Sequence, residues 1–383
     1  MKRKRKVAII DPLGSHGSSH HFYLFGQAEG LINNDVLISL YTNNKTDNPN
    51  IDSVRFFTFY KDIFISKFKF ISGMKWIIGS IFSVSHARFS GIRIFHFHIF
   101  YTNILVLFNL LLVKLLFGKV VLTVHDVSSF ANSSAPSIIE SMIYKLTDLI
   151  LTHNEFSKLE IMNISPHLSS CIYIVPHGNY IPFIHVQNDK ERSRKNLGIP
   201  NDKKVLLFFG MIKQVKGLDV LLHALKDVVK ENPDVLLLIA GKTWENDFTS
   251  YQRIIDENNL SENIILHTKF IPHGDLEYYY SASDLVVLPY KKIYQSGVLM
   301  MTLSYERPAL VSDLPPLKEV ITDNKNGFLF KSEDVDDLSS RLNQILSDKD
   351  NLEKVRINGN ILIKTRFGWN EIGRLTKEAY QTL

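Results

Sequence analysis

The sequence predicts an α/β protein built of two doubly wound, Rossmann-like domains, and three observations carry the prediction. A chain of 383 residues exceeds one ordinary core, since domains run to roughly 100 to 200 residues. Short apolar runs closed by turns alternate with longer helical patterns, as parallel βαβ units require. In the second half those runs are continuously apolar, which implies a sheet covered on both faces.

Taken in order, "KVAIID" is a first strand closed by a turn, "IRIFHFHIF" alternates apolar and polar residues, and "KVVLTVHDV" is a β-branched run ending in polar residues. The second half repeats the logic with "KKVLLFFG", the amphipathic "LDVLLHALKDVVKEN", then "VLLLIAG", "NIILHTKF", "DLEYYYSAS" and "DLVVLPY". Between the halves "NYIPFIHVQNDKERSRKNLGIPND" reads as a linker. The expected domains are 1–182 and 183–366. No internal repeat or low-complexity tract is evident.

With 45% hydrophobic and 22% charged residues, the composition is that of a globular protein rather than a disordered or collagen-like one. The single cysteine, Cys171, excludes an internal disulfide and fits a cytoplasmic location. "MKRKRK" is followed by only four apolar residues before Asp11, too few for a secretory signal. It reads as a solvated tail, and no nucleic-acid partner is expected because no aromatic-interleaved basic face follows. Residues 1–185 hold 17 Lys and Arg against 11 Asp and Glu, so the whole positive excess lies in the first half. The apolar stretch Ile104 to Phe117 is shorter than the roughly 20 residues of a spanning helix. A core helix is the first reading. A basic, apolar-rich half resting on the inner face of an anionic membrane is the second.

In open α/β sheets ligands sit beyond the carboxyl ends of strands. After "VLLFFG" come Gly210, Lys213, Lys216 and Gly217, the last opening an amphipathic helix. Two cations beside free helix N–H groups suit a dianion.

The motifs "FFGMIKQVKGLDVLLHAL", "PHGNY", "YSASDLVVLPY", "SGVLMMTLSYERPALVSDLPPLKEVITDNKNGFLF" and "RFGWNEIGRLTKEAY" resemble those of the retaining glycosyltransferases of family 4 (glycosyl transferases group 1). The resemblance is dense over 176–383 and thinner over 1–175. It implies a GT-B fold, two facing Rossmann-like domains with a cleft between, and a terminal segment 367–383 returning to the N-terminal domain. It also implies transfer of a sugar from a nucleotide-sugar donor to a glycan or lipid-linked acceptor, in cell-surface polysaccharide or glycoconjugate biosynthesis, without a metal or other cofactor. By position, Lys216 matches the family's diphosphate-binding lysine, and Lys213 matches a variant spacing of its partner cation. Gly297 and Val298 match the helix start whose amides face the phosphates, and Glu319 matches a frequent acidic residue, with helix capping as the alternative. Gly14 lies in the glycine-bearing loop after the first strand, and His125 of "TVHDV" matches the histidine that contacts the transferred sugar.

One departure stands out. Counting from Gly297, the family's E-x7-E pair falls on Tyr294 and Thr302, and Glu306 is four residues too late. Gln295 and Ser296 are the neutral hydrogen-bonding residues beside it. A non-catalytic, sugar-nucleotide-binding partner subunit is therefore the competing function. The pairs His96/His98 and His20/His21 read as strand-end or loop histidines rather than metal ligands, lacking acidic or cysteine partners at ligand spacing. "EDVDD" (333–337) reads as the acidic first turn of a helix.

Overall fold

The computed structural model describes residues 4–16, 20–65, 68–127, 138–184 and 187–383. The chain divides into two compact units, the first running to Gly178 and including Phe367–Leu383, the second spanning Asn179–Arg366.

In the first unit the order is β1 (Lys6–Ile10), α1 (His20–Asn33), β2 (Leu37–Asn43), β3 (Arg55–Tyr60), α2 (Lys69–Phe89), β4 (Ile94–Ile99), α3 (Ile104–Leu115), β5 (Lys119–Val124), α4 (Ile138–Lys145), β6 (Leu149–Thr152), α5 (Glu155–Ile164) and β7 (Ile172–Ile174). The seven strands pair in the order β3-β2-β1-β4-β5-β6-β7, and every pairing is parallel. β4 departs from its alternating sequence, because all six residues are buried, His96 and His98 included. A strand at the switch point is covered on both faces, so its polar members are satisfied inside the protein rather than by water.

The second unit holds α6 (Lys190–Leu197), β8 (Lys204–Phe209), α7 (Leu218–Glu231), β9 (Val235–Ala240), α8 (Thr249–Glu257), β10 (Ile264–His267), α9 (Leu276–Ala282), β11 (Leu285–Leu288), α10 (Gly297–Ser304), β12 (Ala309–Ser312), α11 (Pro315–Lys318), β13 (Phe328–Phe330), α12 (Val335–Ser347) and α13 (Lys349–Arg366). Its strands pair in the order β10-β9-β8-β11-β12-β13. Leu206, Phe208, Leu221, Leu225, Leu237 and Ile239 belong to one continuous apolar core.

The stretch 179–202, expected as a linker, is instead built into this unit. Asp189 caps α6 by accepting from the Arg192 amide. Arg194 is buried, with Nη2 2.9 Å from Asp284 Oδ2, Nε donating to Ala282 O and Nη1 to Asn201 O. The polar composition that suggested a linker hides a buried arginine made tolerable by a carboxylate and two carbonyls. In "EDVDD" the Asp334 side chain accepts from Asp337 N at the start of α12, an ordinary N-cap.

The final helix, α14 (Trp369–Tyr380), belongs to the first unit and packs along α1. The approach is glycine to glycine. A Cβ at Gly30 would lie 2.0 Å from Trp369 O, and one at Gly373 would lie 2.0 Å from Gly30 O. Tyr380 hydroxyl bonds His96 Nδ1 at 2.6 Å, and Tyr380 O accepts from the Arg5 guanidinium.

Candidate functional site

Each sheet reverses its winding at one point, between β1 and β4 in the first unit and between β8 and β11 in the second. Loops beyond the carboxyl ends at such a point form the natural ligand crevice. Both contain the residues singled out by the sequence.

In the second unit, the β8–α7 loop is stitched to the β11–α10 loop. Gly217 has φ +67°, and a Cβ there would lie 1.8 Å from Pro289 O; only glycine fits both the left-handed backbone and the close approach. Lys291 N donates to Val215 O at 2.9 Å, and Lys291 Nζ pairs with Asp219 Oδ2 at 2.6 Å. A Cβ at Gly210 would lie 3.3 Å from Val298 Cγ2, so the first turn of α10 stands against the end of β8. On this frame Lys216 Nζ sits 3.8 Å over the Tyr290 ring and Lys213 Nζ 4.0 Å over the Trp244 ring. Aromatic faces hold the ammonium groups in place. Tyr290 is buried, which pushes its hydroxyl up to about 12 against the opposing hydrogen bond from Ser296.

α10 begins on Ser296, whose hydroxyl accepts from Leu299 N at 3.1 Å. Gly297 follows, close to the Tyr180 hydroxyl, which would lie 3.2 Å from an added Cβ. Tyr180 N in turn donates to Ser304 Oγ at 3.0 Å. Lys213, Lys216, Gly210, Ser296, Gly297 and Val298 thus share one loop pair. Gln295 lies beside them, and its Nε2 is buried with no partner among the described residues.

The positions counted for the missing acids lie elsewhere in character. Thr302 is fully buried with its hydroxyl donating to Val298 O at 2.7 Å, and Tyr294 is 2% exposed. Both are interior residues of the second unit. Glu319 stands at the carboxyl end of the four-residue α11, its carbonyl accepting from Arg366 Nη1 at 3.1 Å. A carboxylate there does not cap a helix start.

In the first unit, Gly14 N donates to Asp11 Oδ2 at 2.9 Å in the turn after β1. Asp11 is buried, and desolvation raises its carboxyl to about 7 against the Gly14 and Leu13 amides. His20 Nε2 lies 3.7 Å from Asp11 Oδ2, and the His20 ring meets His125 edge-on at 5.0 Å. His125 stacks on Phe100 at 4.5 Å, and its backbone N–H donates to Ile99 O.

His125 is the middle of a chain of buried imidazoles. His98 Nδ1 is 3.1 Å from His125 Nε2, His125 Nδ1 is 3.0 Å from His153 Nε2, and His153 Nδ1 is 3.0 Å from Val175 O. The far end, His98 Nε2, faces Gln27 Oε1 at 3.0 Å. Four contacts need four protons, and three neutral imidazoles bring three. Rotating the Gln27 carboxamide supplies the fourth from Nε2, which otherwise lies buried without a partner. All three histidines then carry the proton on Nδ1, with Val175 O setting the direction. Burial, reinforced by the neighbouring imidazoles, holds His98 and His125 well below the usual range. His153 is lowered to about 4, burial outweighing the Val175 carbonyl. Both ring nitrogens of His125 are engaged inside the unit, so a contact with a sugar requires exchanging the His98 bond.

His20, His98 and His125 also bring one ring nitrogen each within 4.8 Å of one another. Sequence spacing alone did not assemble them, because they come from three different elements. The signal that reveals them is positional: His98, His125, His153 and His177 stand at or just beyond the carboxyl ends of the consecutive strands β4 to β7.

Comparison with known proteins places the second unit. Residues 189–361 match the family described as glycosyl transferases group 1. The match lies within the second unit. Among curated relatives, spore coat protein SA of Bacillus subtilis is 25% identical over 205 residues, 51% of this chain and 53% of that protein. The GDP-mannose:glycolipid 4-beta-D-mannosyltransferase of Xanthomonas campestris pv. campestris is 36% identical over 107 residues, 27% of this chain and 29% of that one. The chain spans about half the length of curated relatives it matches. Of solved structures, HepE of Anabaena, in complex with UDP and glucose, superposes over 99% of this chain and 100% of its own with a TM-score of 0.77 at 16% identity. The sucrose-phosphate synthase of Thermosynechococcus elongatus covers 99% and 98% with a TM-score of 0.72 at 17% identity. The fold is GT-B, and the residues that match the group 1 family lie in the second of its two Rossmann-like units.

Proposed function

We propose that the chain is a glycosyltransferase that moves a sugar from a nucleotide-sugar donor to a glycan or lipid-linked acceptor in surface polysaccharide or glycoconjugate synthesis, on the cytoplasmic side. The observation that carries the reading is the pair of aromatic-seated lysines, Lys213 and Lys216, at the switch point of a group 1 domain beside the first turn of α10. Departure of the sugar builds negative charge on the diphosphate. Fixed cations and the Gly297 and Val298 amides stabilise that charge without reorganising, and one such donor is typically worth roughly 3 to 4 kcal/mol of barrier. Gln295 Nε2 offers a further donor to the same ligand. With no protein nucleophile among the donor residues, same-face attack with the leaving phosphate taking the acceptor's proton accounts for retention. Gly14 and His125 serve the sugar side of the reaction, His125 after exchanging its His98 bond.

Donor hydrolysis by the purified chain, over a panel of UDP-, GDP- and ADP-sugars, tests this directly. Hydrolysis or transfer with at least one donor is expected. Nucleotide binding with neither reaction, for every donor and acceptor, would leave the partner-subunit function standing. Activity is expected to survive a chelator, because the lysines and helix amides carry the charge; loss with chelator and rescue by a divalent ion would instead implicate the His20, His98 and His125 nitrogens.

A further inference from the structure

α2 is amphipathic the wrong way round for a helix on a soluble domain. Its buried residues are Gly79, Ser80, Ser83, Val84 and Ala87, mostly small or polar. Its large apolar side chains face solvent: Phe70 is 77% exposed, Met74 48%, Ile78 48%, Phe82 61% and Phe89 86%. The first four recur every four residues, so they form one stripe along the helix. α3 packs against α2, and Arg88 Nε donates to Leu116 O at 2.8 Å where the two helices end. There Leu111 and Leu115 of α3, with Phe117 just beyond its end, extend the apolar surface, the last two 73% and 87% exposed. Contiguous apolar surface of this extent marks a docking face.

Charge identifies the occupant. From Ile63 to His125 the sequence contains no Asp or Glu and seven Lys or Arg; Lys114 and Lys119 pair with Asp148, and the excess lies with the others, Lys69 on α2 and Arg93 at exposed positions. A two-fold contact between copies would set the remaining cations against themselves without one acid from the segment to relieve them. An anionic bilayer meets both features, taking the rings and aliphatic chains into its interface and the lysines onto its phosphates. No helix among the described residues is long and apolar enough to cross a membrane, so the contact is one of lying on the surface.

We propose that the outer faces of α2 and α3 form a membrane-docking surface that inserts its apolar stripe into the headgroup region of an anionic lipid bilayer. The sequence pointed only to residues 104–117. The structure gives the leading part to α2, whose stripe is interrupted by enough Ser, Gly and Lys to escape a hydropathy reading. This inference does not rest on the transferase reading, since docking is read without donor or acceptor.

The experiment is flotation of the full chain with vesicles of phosphatidylcholine alone and of phosphatidylcholine with phosphatidylglycerol, across a salt series. Binding to the anionic vesicles that weakens as salt rises is expected, with little to the neutral ones. Phe70→Ser/Phe82→Ser/Phe89→Ser is expected to reduce partitioning by at least about tenfold at unchanged melting temperature. Lys69→Glu, also at an exposed position, reduces it by about fivefold or more. Absence of binding by the parent, or binding indifferent to lipid charge and salt, overturns the proposal without any variant. So does a stable dimer that Phe82→Glu dissociates while vesicle binding is absent, which would give the face to a second copy.

Discussion

The two switch points face the same geometric problem and solve it with opposite electrostatics. In the first unit the polar groups beyond the strand ends are buried, and burial strips the imidazoles of charge: His20 and His96 are lowered to about 3 and His177 well below its usual range. In the second unit the polar groups are half-exposed ammonium groups laid on aromatic rings. One scaffold therefore yields a neutral, tautomer-ordered relay in one unit and fixed positive charge in the other. What decides between them is desolvation, not strand topology.

The sharpest way to test the contrast is acid. Six buried histidines of the first unit, His20, His96, His98, His125, His153 and His177, have folded values below 6.5. The unfolded chain binds protons there that the folded one does not, so stability is lost as pH falls below about 6.5. Near pH 5 each imidazole that stays neutral in the fold costs about 2 kcal/mol, before relaxation. Asp11 acts with the opposite sign: raised to about 7, its contribution is present at low pH and lost as pH rises toward 7. Six groups outweigh one. Hydrogen exchange resolved by unit is expected to show the first unit opening between about pH 6.5 and 5 while the second stays protected; simultaneous opening would break the comparison.

Next in size is Thr302→Glu, which places an unpaired carboxylate at a fully buried site and is expected to cost roughly 3 to 5 kcal/mol. The readouts are the melting temperature and nucleoside-diphosphate affinity, and both should fall. A gain in donor affinity or turnover, alone or with Tyr294→Glu, would show that the loop is a decayed acidic pair rather than an interior one. Gly217→Ala should cost about 2 to 3 kcal/mol, because a left-handed backbone alone accounts for about 1 to 2 and Pro289 O blocks the new carbon. Denaturant unfolding of this variant measures it, with donor binding lost in parallel as the two loops part. Lys216→Ala sharpens the comparison from the other side: about 10- to 100-fold weaker binding of a nucleoside diphosphate by calorimetry, from roughly 1.5 to 3 kcal/mol for a bond to a charged group, with melting temperature nearly unchanged. Equal losses of stability and affinity would mean the lysine is a packing element.

Legibility in the sequence followed the same divide. In the second unit β8, β9 and β11 are short, almost wholly apolar and closed by Gly210, Gly241 and Pro289, and its two candidate cations, Lys213 and Lys216, lie within four residues of one loop. The histidine relay was illegible because its members are separated by whole βα units and meet only when β4, β5 and β6 pair in register. "IRIFHFHIF" alternates, and alternation cannot report that the Tyr380 and Thr123 hydroxyls, a glutamine and another imidazole wait on the polar side. The segment 179–202 misled for a related reason: Arg194 reads as solvent-loving until Asp284, some ninety residues later, is brought to it.

The glycine-to-glycine contact of α1 with α14 has a consequence for the order in which the protein is made. The second unit, Asn179–Arg366, is complete before the ribosome has released the residues that finish the first. Until Trp369 reaches α1 and Tyr380 reaches His96, the earlier-synthesised sheet lacks one of its covering helices and its histidines lack one of their partners. Nascent chains arrested before Trp369 should therefore carry a protease-resistant second unit behind a protease-sensitive beginning, reversing the usual amino-to-carboxyl sequence of domain maturation.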